Sequence, residues 1–186
     1  MNLDILSFEE ALNYKPKSNS YAIRIFDSRL PTPILDLGKN ENWIAVKNYS
    51  FDDAWPKDWI EYGWADLDDE YLSGLLSKPW KEIKAANPEM TKKSLISYIE
   101  SKGWPQDREF LFNEYLARKI LEDYEEVGLG ADNIMIHCGL GKNRSPAVGI
   151  AMNEIYEWGF EGLKEKFPDY RRFIYDKMKS VEVRKK

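Results

Sequence analysis

The sequence predicts an α/β fold, a small and mostly parallel central sheet flanked by helices, on three observations. Tyr21-Ala-Ile-Arg-Ile-Phe26 alternates and is rich in β-formers. Ile134-Met-Ile136 is a short unbroken apolar run that runs into a glycine-bearing segment, the pattern of a strand buried on both faces of a parallel sheet. Between the two lies a helix stripe in which Phe112, Leu116, Ala117, Ile120, Leu121 and Tyr124 recur at helical spacing. Strands separated by helical patterns are what a parallel sheet with crossover helices requires.

From the start of the chain, Ile5, Leu6, Phe8 and Leu12 share a helical face, so residues 5–13 are expected to form a short helix with Ser7 able to cap it. The strand over 21–26 gives way to a proline-bearing turn over 27–33. Trp43-Ile-Ala-Val46, running on toward Phe51, is the second expected strand. The character then changes. Five of the seven tryptophans (Trp55, Trp59, Trp64, Trp80 and Trp104) fall between Ala54 and Gln106, with helical pieces expected near 69–77 and 91–102. Thr91 suits a helix N-cap, and Gly103 ahead of Pro105 suits a stop. The stretch reads as a helical insertion at about 54–106 within one domain spanning 1–186, its tryptophans serving packing. Helix is expected over 108–126, ended by Gly128 and Gly130. A strand follows over 134–136, then helix over 146–158, with Pro146 in its first turn and Gly159 at its end. Further helix is expected over 161–166 and 169–180.

Composition limits the function classes. The chain is 43% hydrophobic and 14% aromatic, enough for a packed core, and its formal charge is -5. An acidic balance argues against nucleic acid as a partner, since phosphate backbones are met by basic faces. No apolar run nears the roughly 20 residues of a membrane helix, and no leader pattern opens the sequence, so no membrane association is expected. The single cysteine cannot form an internal disulfide, which favours a reducing, cytoplasmic setting. One Cys and one His also fall short of a zinc site of the usual kind, and no metal or organic cofactor is expected.

The chemistry is concentrated in Ile136-His-Cys-Gly-Leu-Gly-Lys-Asn-Arg-Ser-Pro146. A strand that feeds a glycine-bearing loop opening a helix can point successive backbone N–H groups into one hollow. That hollow, aided by the positive helix end, takes a dianionic phosphate, sulfate or vanadate. Gly139, Leu140, Gly141, Lys142, Asn143 and Arg144 are the expected phosphate-binding residues. The same field acting on Cys138 favours the thiolate, the nucleophilic form. Arg144, six positions on, is placed to bring a planar fork over two phosphate oxygens at once, which lysine cannot do. Gly141 is expected to let the backbone approach the ligand without a Cβ in the way. Ser145 is a candidate donor to the Cys138 sulfur, assisting its departure from a covalent intermediate, although it is also a candidate N-cap for the next helix. His137 is expected to orient the loop through hydrogen bonds. Lys142 is either solvated or a contributor to positive potential.

These residues match the signature His-Cys-x-x-Gly-x-x-Arg-Ser, and the segment resembles the phosphate loop of the cysteine-dependent protein tyrosine phosphatases. The proline after the serine resembles the dual-specificity branch in particular. The resemblance implies a tyrosine-phosphatase-like fold and phosphomonoester hydrolysis through a phosphocysteine. It implies phosphorylated proteins or peptides as substrates, and a general acid on a separate loop. Beyond the loop it is thinner: the order of elements and Phe167-Pro-Asp-Tyr-Arg-Arg-Phe-Ile-Tyr175 are similar to small enzymes of this type, and the insertion has no counterpart. Two places offer the acid. Asp53, with Asp52 beside it, follows an expected strand in Ser-Phe-Asp-Asp and is preferred. Asp107, in Gly-Trp-Pro-Gln-Asp, resembles a Trp-Pro-Asp loop with one extra residue, or else caps helix 108–126. A catalytically weak phosphate-binding module, and the same chemistry on a phosphoinositide or an RNA 5′-phosphate, are the alternative readings.

Overall fold

The computed structural model describes residues 1–27, 37, 40–53, 80–91, 94–95 and 112–181. The chain divides into two compact units, one formed by Met1–Asp53 with Phe112–Lys186 and the other by Ala54–Leu111.

In the first unit the chain begins with a strand. Asn2–Leu6 is β1, followed by α1 (Phe8–Leu12), β2 (Ser20–Phe26), β3 (Trp43–Ser50), and, within the second unit, α2 (Trp80–Ala86). The first unit resumes with α3 (Glu114–Val127), β4 (Asn133–His137), α4 (Arg144–Ile155), α5 (Leu163–Lys166) and α6 (Arg172–Ser180). The four strands form one sheet in the order β1-β4-β2-β3, and every pairing is parallel. The expected α/β class and small parallel sheet are thus observed. No described helix is long and apolar enough to cross a membrane.

The expected helix over 5–13 is corrected. Ser7 is its true boundary: the hydroxyl accepts from the Glu10 amide while the Glu10 carboxylate accepts from the Ser7 amide, a reciprocal cap that starts α1 at Phe8. Leu3, Asp4, Ile5 and Leu6 instead pair with Ile134, Met135, Ile136 and His137 of β4. A half-buried edge strand five residues long carries too few apolar positions to separate period two from period 3.6.

The helix expected over 108–126 is corrected at its start, since Phe112 and Asn113 lie in non-helical backbone ahead of α3, and the remaining described elements fall near their expected places. In α3, Asn113 supplies the N-cap, its side chain accepting from the Leu116 amide at 2.9 Å. The Gly128 amide closes the helix on the Tyr124 carbonyl. Helix α4 starts two residues before Pro146, which still lies in its first turn, where a missing N–H breaks no helical bond. Ser145 is therefore inside the helix and is not its cap.

Strand β2 is buried along its whole length, and so is β4. On one face, Tyr21, Ile23, Ile25, Ile134 and Ile136 pack with Ile120, Leu121 and Tyr124 of α3, Ala147, Val148, Ala151 and Met152 of α4, and Ile174 and Met178 of α6. On the other, Ala22 and Met135 pack with Ala11 of α1. Each fully buried Ile, Val or Met side chain contributes about 1.5–3 kcal/mol. This core fixes β4 between β1 and β2, with the Cys138 loop at its C-terminal end.

In the second unit Thr91 and Ser94 exchange capping bonds, Ser94 N to Thr91 Oγ1 at 3.0 Å and Thr91 N to Ser94 Oγ at 2.8 Å, so the expected cap is present. Ile83 and Leu95 are buried. The pieces expected at 69–77 and the rest of 91–102 lie outside the described residues, as does Asp107.

Candidate active site

A parallel sheet gathers at one edge whatever follows the C-terminal end of each strand, which is where ligands of such sheets are held. Here that edge collects Ser7 and Phe8 after β1, Asp27 after β2, Phe51 to Asp53 after β3, and Cys138 to Asn143 after β4. Residues more than a hundred positions apart in the chain become neighbours through strand register alone.

Cys138 is 2% exposed and directly follows β4. The Ser145 hydroxyl, in the first turn of α4, donates to its sulfur at 3.2 Å. Sulfur, loop and helix N-terminus therefore meet as the sequence predicts. Residues 139–143 carry no turn hydrogen bonds, and among the described residues none of their backbone N–H groups has a protein acceptor. Five amides in a row, next to a helix N-terminus, form a concentration of positive dipole ends.

The loop is held from outside. The Phe8 amide donates to the Gly139 carbonyl at 3.0 Å, and the Asn143 carbonyl accepts from the Arg171 amide at 3.1 Å. The Asn143 side chain donates to the Asp169 carbonyl at 3.1 Å, so its part in the loop is a tether. Gly141 has φ +70°, and a Cβ there would come within 2.6 Å of the Ser7 amide nitrogen and 2.7 Å of the Leu6 carbonyl carbon. The expected reason for this glycine is thus corrected: the close neighbour is the β1–α1 junction. Leu140, at 72% exposure, and Lys142 stand out from the surface.

Arg144 is 4% exposed. Its Nη1 donates to the Phe51 carbonyl at 2.7 Å and pairs with Asp27 Oδ1 at 2.8 Å. Its Nε is buried without a hydrogen-bond partner, and a Cβ on Gly139 would lie 3.7 Å from Nη2. One end of the guanidinium is anchored by protein while the other lies against the Cys138 loop with an unused donor. A buried donor without an acceptor is costly, by about 1–3 kcal/mol, unless a ligand takes it.

His137 is fully buried between the rings of Phe8 and Phe26. Its Nε2 accepts from Arg24 Nε at 3.1 Å, which places the proton of the neutral ring on Nδ1. Burial first, and then the Arg24 charge, pull its pKa down to about 4. His137 acts as a fixed neutral link between β4 and β2. Because the unfolded ring protonates near pH 6.5, the unfolded state takes up the proton first on acidification. Stability is therefore expected to fall from pH 6.5 to about 4, by up to about 3 kcal/mol, and this component flattens below that. Urea unfolding across that range checks it against His137→Gln, whose slope should be shallower.

Asp53 bonds to the Arg171 side chain through Oδ1 and to it again through its carbonyl at 3.4 Å. Asp52 is buried beside it. Sequence reasoning missed Arg24, Asp27 and Arg171. The signal that singles out Asp53, an acidic residue directly after a strand, applies equally to Asp27. Arg24 is announced by a charge in the middle of an otherwise apolar strand.

Among the described residues no group of three or more His, Cys, Asp or Glu side chains is arranged to hold a metal. Compared with protein-family models, with curated proteins and with solved structures, the chain matches nothing.

Proposed function

We propose that the chain is a cysteine-dependent phosphomonoester hydrolase of the protein tyrosine phosphatase type, in its dual-specificity-like branch, acting on phosphorylated proteins or peptides. The observation that carries this reading is the buried Cys138 sulfur, bonded by Ser145 and followed by five amides without protein acceptors among the described residues, with the Arg144 guanidinium, its Nε unused, against Gly139 of the loop. Such an array suits a dianion with three equivalent oxygens better than it suits any neutral ligand.

The Cys138 thiolate attacks phosphorus, an S–P bond forms and the P–O bond to the leaving group breaks. Loop amides and the Arg144 fork hold the equatorial oxygens, where charge spreads in the loose transition state. An aspartate, Asp53 or Asp107, protonates the leaving oxygen. Water then attacks the phosphocysteine, the same aspartate takes the water's proton, and phosphate leaves. Ser145 stabilises the departing sulfur with the hydrogen bond it already makes.

Aryl phosphate hydrolysis is the test. Phosphate release should persist in EDTA and be blocked by vanadate, and acid quenching should trap one phosphoryl group on the peptide that bears Cys138. Turnover with no such adduct on rapid quenching would overturn the covalent mechanism. The ion pair that occupies Asp53 favours a second reading, a phosphate-binding module with little turnover. Oxyanion binding without any phosphate release would select it.

A further inference from the structure

The Arg144 guanidinium has two protein partners on a single nitrogen, and they come from two different strand ends. Phe51, whose carbonyl lies 2.7 Å from Nη1, follows β3; Asp27, whose carboxylate lies 2.8 Å from the same atom, follows β2. The Phe51 carbonyl gives Nη1 a directional hydrogen bond, and the Asp27 carboxylate adds an ion pair that holds the charge of the same nitrogen at the β2 end. The remaining atoms are Nε, which is buried and unpartnered, and Nη2, the atom nearest to a Cβ placed on Gly139.

We infer that Asp27 is a positioning residue, which turns the Nε–Nη2 edge of Arg144 toward an oxyanion in the Cys138 loop; this rests on the phosphatase reading above. Its side chain is about one-third exposed, at 33%, so it sits at the rim and the oxyanion itself is left to the loop and the guanidinium. Two effects of Asp27 oppose each other. As a charge, it repels an incoming dianion and competes for the guanidinium, so its removal would tighten binding. As an anchor, it prepays the ordering of the fork, so its removal would loosen binding. The second effect dominates here, because Arg144 is buried and, among the described residues, the opposite edge has no other protein partner to hold it in place.

The sign of one substitution therefore decides. Asp27→Ala is expected to weaken vanadate binding by roughly tenfold or more and to raise KM for an aryl phosphate in parallel. Asp27→Asn keeps the shape of the side chain but not the charge that pairs with Nη1, and should lose vanadate affinity as Asp27→Ala does. Vanadate binding by Asp27→Ala as tight as in the unmodified chain, or tighter, overturns the inference. If Asp27→Ala does not melt cooperatively, Asp27→Glu carries the test. One added methylene displaces the fork with the charge retained, so it should bind vanadate several-fold more weakly, and unchanged affinity overturns the proposal. Failure of the unmodified chain to bind vanadate overturns this inference together with the phosphatase reading. Normal binding by the unmodified chain and by Asp27→Ala alike removes the inference alone.

Discussion

Cys138→Ser is expected to reduce aryl phosphate turnover by on the order of 10⁴-fold or more, since it removes the nucleophile on which both chemical steps depend. Serine is nearly isosteric, the site is buried, and the Ser145 hydroxyl can bond to oxygen as it does to sulfur. The fold and the loop should therefore survive. Serine lacks a polarisable anion at neutral pH, and His137 is not available as a base for it because the histidine's Nε2 is engaged with Arg24. The variant should thus bind vanadate or a phosphopeptide while releasing no phosphate. Stopped-flow turnover and calorimetric binding on the same sample separate the two properties, and undiminished turnover would remove the nucleophile from the scheme.

Arg144→Lys is expected to cost about 10²–10³ in kcat/KM. Lysine keeps the charge but loses the fork. A single ammonium cannot donate to the Phe51 carbonyl, pair with Asp27 and present two donors to phosphate in one plane. Because Asp27 is one-third exposed and retains a cation beside it, the substitution leaves no uncompensated charge in the core, and a folded protein is expected. Steady-state kinetics with one aryl phosphate measures the loss; an Arg144→Lys enzyme within a few-fold of normal would show that charge alone suffices.

The site is legible in the sequence to the extent that it is contiguous. Cys138, Gly141, Arg144 and Ser145 lie within eight residues, so spacing alone can suggest a loop that faces inward and opens a helix. The structure gives each a place consistent with that suggestion, except that Gly141 is required by the backbone of Leu6 and Ser7. The contacts that support the loop are not contiguous. Arg24 reaches His137 across 113 positions and Arg144 reaches Phe51 across 93, and both depend on strand register, which no local pattern encodes. The choice of general acid is ambiguous for the same reason. Asp27, Asp52 and Asp53 all follow strands of a parallel sheet, and topology rather than local sequence distributes them along its edge. At the N-terminus the ambiguity is one of length. Ile5 and Leu6 fit a helix with Phe8 and Leu12 only if the cap at Ser7 is read through, and the Ser7–Glu10 pair is the local feature that marks the break.

The strand order has a consequence for synthesis. β4 is the last of the four strands to be made, yet it lies between β1 and β2 and is the strand that β1 pairs with. On a nascent chain, Asn2–Leu6 waits for a partner more than 120 residues downstream, and the inner edge of β2 stays bare meanwhile. Bare strand edges invite mispairing with other chains, and long-range parallel pairing is slow. Closure of the sheet and birth of the Cys138 loop are therefore one event on the ribosome's timetable, and a slowdown in translation ahead of residue 133 lengthens the exposure of both open edges.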